Sequence, residues 1–140
     1  MLSIRAKKDC AVLNLIKDCE GDKYFPNELI REAYDRDPTQ NIYMYIYMNN
    51  NCVGFGMIRG WDECWDDKVL GIIISPANRG KGLGKLMMET LHTLASLRGL
   101  KRVRLHVAPY NKIAINMYRD MGYEYSGDRE DGEWIMYKEI

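Results

Sequence analysis

Seven consecutive residues, Arg79-Gly80-Lys81-Gly82-Leu83-Gly84-Lys85, combine three glycines with three basic side chains at the predicted start of a helix. Glycine leaves backbone N–H groups without side-chain cover, and the first N–H groups of a helix have no partner within it. Such groups form a seat for an anion, and lysines beside them add positive charge. The segment therefore predicts that the chain binds a phosphate-bearing cofactor.

Two widespread phosphate-binding patterns do not fit this segment. A Walker A loop counted from Gly80 requires a glycine at position 85, but Lys85 stands there and Leu86 follows it. The dinucleotide fingerprint requires a third glycine three residues after Gly82, which is again Lys85. What remains is Arg79-x-x-Gly82-x-Gly84, directly after an apolar strand that ends in Ser75-Pro76. A glycine-rich turn that only lets a strand meet a helix closely is the simpler alternative.

A second pattern lies downstream, where Asn111, Ala114 and Tyr118 are followed by Gly122-Tyr123-Glu124. Together with the glycine loop, it resembles the two sequence signatures of the GNAT superfamily of acetyl-CoA-dependent N-acyltransferases. The resemblance covers residues 68–124 with specific motifs, and the predicted order of elements extends it over the whole chain.

The resemblance implies a fold and a cofactor. The fold is α/β (α+β), with a mixed, mostly antiparallel sheet of six to seven strands, helices on both faces and two splayed central strands. The cofactor is acetyl-CoA, with no metal. Its pyrophosphate would lie on the amide groups of the glycine loop, and its pantetheine arm would pair with the strand before that loop. The residues implied are Ile72, Ile73, Ile74, Arg79, Gly80, Lys81, Gly82, Leu83, Gly84, Lys85, Asn111 and Tyr118. Arg79 either holds the loop or touches phosphate.

The same resemblance assigns chemical roles. Tyr118 matches the family's usual proton donor to the departing sulfur, and a tyrosine with a pKa of about 10 is protonated at neutral pH. Five residues before Asn111, ribosomal-protein alanine acetyltransferases carry a glutamate as the base, and here His106 occupies that position. Histidine is a sensible base near pH 7, although a lone histidine on a strand is more often a packing residue. The alternative base is an ordered water chain anchored by Glu63, Asp66 and Asp67.

The predicted acceptor is an amine. The segment Trp61-Asp62-Glu63-Cys64-Trp65-Asp66-Asp67 interleaves two aromatic rings with four carboxylates, which suits a cation. We expect Trp61, Glu63 and Asp66 to contact the substrate, with a solubilising loop as the equal alternative. The expected activity is N-acetyl transfer from acetyl-CoA to a small-molecule amine or a polypeptide amino group, by direct attack in a ternary complex. A non-catalytic CoA-binding sensor or interaction module is the alternative function.

Composition narrows the remaining functions. The 140 residues include 20 basic and 20 acidic side chains, so no overall field favours nucleic acid or an anionic membrane. No apolar segment reaches the length of a membrane span, and the N-terminus lacks a signal-peptide pattern, which predicts a cytoplasmic protein. The four cysteines form no CxxC pair and have no histidine at metal-ligand spacing, so we expect reduced structural thiols.

The elements that must position these residues follow from hydrophobic periodicity over one predicted domain, residues 1–140. The order is strand, two helices, three strands, helix, strand, helix and two strands that form a closing hairpin. Asn111 is placed to cap the last helix. In the strand 42–48, Tyr43, Tyr45 and Tyr47 share one face; we favour packing on the sheet, with an acceptor-lining role or a homodimer interface as the alternative. After the glycine loop, a leucine stripe that ends at Leu97 predicts a helix, and Gly99 predicts its end.

Overall fold

The computed structural model of the chain describes residues 1–140. Its seven strands and four α-helices are β1 (Leu2–Arg5), α1 (Ala11–Asp18), α2 (Glu28–Asp35), β2 (Ile42–Met48), β3 (Asn51–Arg59), β4 (Val69–Ile74), α3 (Leu83–Leu97), β5 (Arg102–Val107), α4 (Lys112–Asp120), β6 (Glu124–Glu130) and β7 (Glu133–Glu139). A short 3-10 turn, Pro76–Asn78, leads from β4 towards α3. None of the four helices combines the length and apolarity that a bilayer span requires.

The strands form one sheet in the order β1-β2-β3-β4-β5-β7-β6. Every neighbouring pair is antiparallel except β4 and β5, which are parallel and joined through α3. A helical crossover is the usual way to bring two consecutive strands into parallel register. The predicted mixed, mostly antiparallel sheet is therefore confirmed. The last strand, β7, lies between β5 and β6, an order that the predicted closing hairpin did not specify.

The sheet divides the core into two layers, and β2 contributes to both because its side chains alternate between the two faces. On one face, Ile42 and Ile46 join a first core that includes α3 and α4 residues. On the other face, Tyr43, Tyr45 and Tyr47 join a second core with α1 and α2. The tyrosine row is buried in this second core, so packing on the sheet is confirmed and the row is not an exposed interface.

Helix α3 packs closely on the centre of the sheet. A Cβ on Gly56 of β3 would lie 2.6 Å from the Met87 side chain, so glycine is what permits this approach. The buried face of α3 contains Met87, Leu91 and Ala95, four residues apart. The leucine stripe is wrong at Leu97, which is 78% exposed. It follows Ala95 by two residues, which places it about 200° around the helix.

The second core draws no residue from β5, β6 or β7. In β5, Val103, Leu105 and Val107 belong to the first core, so alternation turns Arg102, Arg104 and His106 to the α1 and α2 side. On that side they are exposed or half-buried. Half of the sheet therefore presents polar side chains beside the point where β4 and β5 part.

Candidate active site

The two central strands are joined at one end only. Val69 and Arg104 are their single register pair, and the Arg104 N–H donates to the Lys68 carbonyl at 3.0 Å. Beyond this pair β4 and β5 diverge, so residues 72–74 have no partner strand on the β5 side. On their other side these residues pair with β3, and the Ile74 carbonyl accepts from Arg79. The remaining backbone groups that point towards β5 are free for a ligand that lies in the cleft. The predicted splay of the central strands is present.

A cavity of about 470 Å³ occupies the cleft. Most of the residues predicted to bind the cofactor or to act in catalysis line it together. They are Ile72, Ile73, Ile74, Arg79, Gly80, Gly82, Leu83, Gly84, Lys85, His106, Asn111 and Tyr118. Lys81 does not line the cavity; its ammonium group donates to the Asn78 side chain at 3.3 Å.

The glycine loop is an open cradle at one end of the cavity. Gly80 and Gly82 have φ values of +78° and +80°, which side chains rarely adopt, and no atom lies within 4 Å of where their Cβ atoms would be. Gly82 is the N-cap of α3, so the N–H groups of the first helical turn have no helical partner. This arrangement fits an anion such as pyrophosphate, because nothing in the chain fills the cradle.

Arg79 is engaged by the protein itself. Its Nε donates to the Ile74 carbonyl at 2.9 Å, and its terminal nitrogen lies 2.6 Å from Asp22. The other Asp22 oxygen accepts from the N–H groups of Tyr24 and Phe25. Burial works to raise the pKa of Asp22, but these hydrogen bonds hold it below its usual value. Arg79 thus fixes the end of β4 to the loop between α1 and α2.

Helix α4 presents Tyr118 to the cavity from the first core. Burial raises the pKa of Tyr118 to about 12, so its hydroxyl group is protonated at any ordinary pH. Its ring packs against Tyr123 with centroids 5.7 Å apart, and the Tyr123 hydroxyl lies 2.7 Å from Nε2 of His92. The position of Tyr118 is therefore set by packing, and its hydroxyl group is a proton donor in chemical terms.

Asn111 begins α4. Its side-chain oxygen accepts from the Ala114 N–H at 3.4 Å, which satisfies one of the unpaired donors of the first helical turn. The predicted helix cap is confirmed. The cap sets the direction in which α4 leaves β5, and that direction brings Tyr118 to the cleft.

His106 is neutral but engaged. Burial and the charge of Arg104 lower the pKa of His106 below its usual value. The Arg104 Nε–H donates to Nε2 of His106 at 2.9 Å, which uses the lone pair of that nitrogen. In this tautomer Nδ1 carries the hydrogen. Arg104 also pairs with Glu130. His106 therefore lines the cavity with the lone pair of its Nε2 already engaged by Arg104.

The residues expected to contact the acceptor lie elsewhere. Trp61, Glu63 and Asp66 belong to the loop after β3, at the closed end of the cleft, and none of them lines the cavity. The Glu63 carboxylate accepts from Arg59, Arg36 and Asn41 and from the Gly60 N–H. Burial opposes the shift, but these bonds lower the pKa of Glu63 to about 2. Trp61 packs under the Arg98 guanidinium, 4.4 Å from its ring centre.

Four charged or aromatic residues that line the cavity were not predicted. Asp22, Tyr24 and Phe25 come from the loop between α1 and α2, and Glu133 begins β7. Nothing in the local pattern marks them, because they reach the cavity through strand order and helix packing. One feature of the sequence could have drawn attention to Glu133: it directly follows the acidic turn Glu130-Asp131-Gly132.

The chain resembles known acetyltransferases. Residues 11–123 match the pattern of the family described as acetyltransferase (GNAT) family. Spermine/spermidine N(1)-acetyltransferase of Bacillus subtilis is 33% identical over 103 residues, which cover 68% of each protein. The catalytic subunit of the N-terminal acetyltransferase B complex of Schizosaccharomyces pombe is 32% identical over 95 residues, covering 68% of this chain and 47% of that one. PaiA N-acetyltransferase of Thermoplasma acidophilum, solved with coenzyme A, has the same fold, with a TM-score of 0.77 and 17% identity over 100% and 99% of the chains.

Proposed function

Because the chain belongs to the GNAT acetyltransferase family and is an acetyl-transferring enzyme, we propose that it moves the acetyl group of acetyl-CoA to a primary amine by direct attack in a ternary complex. One observation carries the proposal. A single cavity joins the open glycine cradle, the free backbone of β4, the Tyr118 hydroxyl group and a mouth with carboxylates. This arrangement favours an enzyme over the non-catalytic module that the sequence left open.

Acetyl-CoA would be held mainly by the backbone. The N–H groups of Gly82, Gly84 and Lys85 would bind the pyrophosphate, and the Lys85 side chain would add charge. The backbone groups of residues 72–74 that point towards β5 and have no partner would bind the pantetheine arm in the manner of an added strand. PaiA, which has the same fold and was solved in complex with coenzyme A, supports this proposal. Arg79 serves mainly as the clamp that keeps the cradle on β4.

The chain's own groups supply three functions in the proposed mechanism. Bound acetyl-CoA provides a thioester whose carbonyl carbon accepts a nucleophile. Backbone N–H groups of β4 in the cleft polarise that carbonyl oxygen, and donors that are held in place act strongly on charge that develops during reaction. The Tyr118 hydroxyl group protonates the departing sulfur. Direct attack requires the amine to reach the thioester within the same cavity, where Glu133 and Tyr24 are among the lining residues.

We propose a small cationic amine as the acceptor. Glu133 gives the cavity an unpaired carboxylate, and Tyr24 adds an aromatic ring, whereas the second carboxylate, Asp22, is paired with Arg79. Carboxylates and aromatic faces both attract ammonium groups. The spermine/spermidine acetyltransferase relative supports a polyamine. A polypeptide amino group is the second candidate, supported by the relative from the N-terminal acetyltransferase B complex.

Calorimetric titration with acetyl-CoA tests the first part of the proposal. We expect a single site with micromolar affinity, and absence of binding at high micromolar concentration would end the idea. Thiol release in the presence of spermidine, amino sugars, aminoglycosides or peptides with free N-termini tests the second part. We expect spermidine to be acetylated faster than the peptides. Turnover with peptides alone would replace the small amine by the polypeptide acceptor.

A further inference from the structure

The Glu133 carboxylate has no partner in the protein. It is half-buried, it lines the cavity with Tyr118, and no hydrogen bond or ion pair engages it. The other carboxylate of the cavity, Asp22, is neutralised by Arg79. A partly buried carboxylate that faces a ligand cavity without a cation nearby is suited to receive one.

Strand register places Glu133 beside the reacting region. From the pair Val69 and Arg104, three residues along each strand lead to Ile72 and Val107 on opposite walls of the cleft. Val107 pairs with Trp134 in β7, and Glu133 is the residue next to Trp134. Glu133 therefore lies one position from the level at which the backbone of β4 becomes free.

His106 is less suited to take a proton from this cavity. Its Nε2 lone pair is bonded to the Arg104 Nε–H, so protonation there would require that bond to break. The positive charge of Arg104 further disfavours an imidazolium ion, as the lowered pKa of His106 indicates.

We propose that Glu133 is the general base of the reaction, and that its carboxylate binds the ammonium group of the acceptor before taking its proton. The inference rests on the proposed function. The proton passes from the ammonium group to Glu133, and the nitrogen lone pair forms a bond to the acetyl carbon. The carbon–sulfur bond breaks with its electron pair on sulfur, which takes the Tyr118 proton. The nitrogen then gives its second proton to the Tyr118 phenolate, which restores the hydroxyl group. Glu133 releases the proton that it took to solvent. The products are the N-acetylated amine, the coenzyme A thiol and one proton.

The surroundings of Glu133 suit a base. Burial, and then the carboxylates of Asp131 and Glu130, raise its pKa above the ordinary value, towards neutral pH, where a base works best. The charged and titratable groups around it are Glu130 and Asp131 on its own hairpin, Arg104 and His106 on β5, and Asp22, Tyr24, Arg79, Lys85 and Tyr118 among the other residues that line the cavity. Arg104 is paired with Glu130, and Arg79 with Asp22, so neither cation neutralises Glu133.

The test compares four variants with the unaltered enzyme, using the fastest amine acceptor. One of them, His106→Asn, should keep the acid limb of the pH profile. Glu133→Gln should lower kcat/KM about 10²- to 10⁴-fold, the usual contribution of a general base, and remove the acid limb of the pH profile. Glu133→Asp should restore part of the rate. Asp131→Asn removes a neighbouring negative charge on an exposed turn, so it should keep kcat within about twofold and move the acid limb to lower pH.

A binding measurement gives a second readout. Titration of the amine into the enzyme with coenzyme A bound should show about 10- to 100-fold weaker affinity for Glu133→Gln, because an ammonium–carboxylate bond is lost. Affinity for acetyl-CoA should not change.

The outcomes separate the inference from the proposed function. If Glu133→Gln folds and keeps its kcat/KM, its acid limb and its amine affinity, the inference about Glu133 is overturned while the proposed function stands. Loss of the acid limb in His106→Asn would have the same consequence. If Glu133→Gln does not fold, an unmoved acid limb in Asp131→Asn overturns it. Failure of the unaltered enzyme to acetylate any amine would overturn both.

Discussion

The Arg79 guanidinium lies 2.6 Å from the Asp22 carboxylate and joins the glycine loop to the loop between α1 and α2. Because Asp22 also accepts from the N–H groups of Tyr24 and Phe25, the ion pair connects the cradle for the cofactor with the mouth through which the acceptor would enter. The sequence left two roles open for Arg79. Its donors to Asp22 and to the Ile74 carbonyl favour the role of holding the loop.

A double-mutant cycle with Arg79→Gln and Asp22→Asn measures this connection. The Arg79 side chain is 48% exposed, so we expect a coupling energy of only about 0.2–1 kcal/mol in unfolding experiments. If Arg79 holds the loop, the coupling persists when coenzyme A is bound. A coupling that vanishes on addition of coenzyme A would show that Arg79 turns to the phosphates instead.

Gly82→Ala tests the cradle, with Gly99→Ala as the matched control. Both glycines have φ near +80° and open space where a Cβ would stand, but Gly99 follows the far end of α3. Each alanine should cost about 1–2 kcal/mol of stability because of left-handed strain. Only Gly82→Ala should weaken acetyl-CoA binding in calorimetry, since its methyl group enters the cradle. Equal affinities in the two variants would contradict the assignment of the anion seat.

Tyr118→Phe tests the proton donor. The two side chains have nearly the same shape, so packing should survive while kcat falls about 10²-fold or more, the lower range for loss of an acid catalyst. Because the pKa of Tyr118 is about 12, the unaltered enzyme should show no loss of rate from its ionisation below pH 10. Tyr123→Phe is the control: it loses the contact with His92 and about 1 kcal/mol of stability, but should keep kcat. Similar kcat values for both variants would remove Tyr118 from the mechanism.

Glu63→Gln tests the network of the loop after β3. The folded pKa of about 2 is below the unfolded value, so the ionised carboxylate stabilises the fold above pH 4.5 and this contribution is lost as the pH falls towards 2. We expect Glu63→Gln to lower the free energy of unfolding by about 1–3 kcal/mol at pH 7, from its charge-assisted hydrogen bonds, and by less at pH 3. Urea denaturation at both values measures this. Glu20→Gln, at an exposed position, should change little at either pH, and a deficit of Glu63→Gln that is constant with pH would contradict the network.

Local patterns predicted what local forces determine. Strand β2 has the bounds read from its alternating residues, Ile42–Met48, and Asn111 caps α4 as its position before that helix indicated. The glycine loop could be read as an anion seat because both its requirements, bare N–H groups and a helix start, lie within a few consecutive residues. These features depend on neighbours in the chain.

The side of the cavity that we propose for the acceptor could not be predicted in this way. Asp22 and Glu133 are 111 positions apart in the sequence and line one cavity because β7 inserts beside β5 while α1 and α2 cover the other half of the sheet. Conversely, Glu63 lies in a segment whose composition is typical of a ligand-binding loop, but in the folded chain its carboxylate forms ion pairs with Arg59 and Arg36. Whether a carboxylate is free or paired depends on the tertiary structure, and the periodicity of the sequence does not indicate it.

The face of β5, β7 and β6 that the second core leaves bare has an evolutionary consequence. Apart from the buried Ile135, side chains on this face are exposed or half-buried, while the two core clusters lie on the opposite face or under α1 and α2. Under the proposed function, side chains on this wall can be altered to select another amine with no repacking of the interior. Divergence of acceptor choice on a constant scaffold is the outcome that such a division of labour permits.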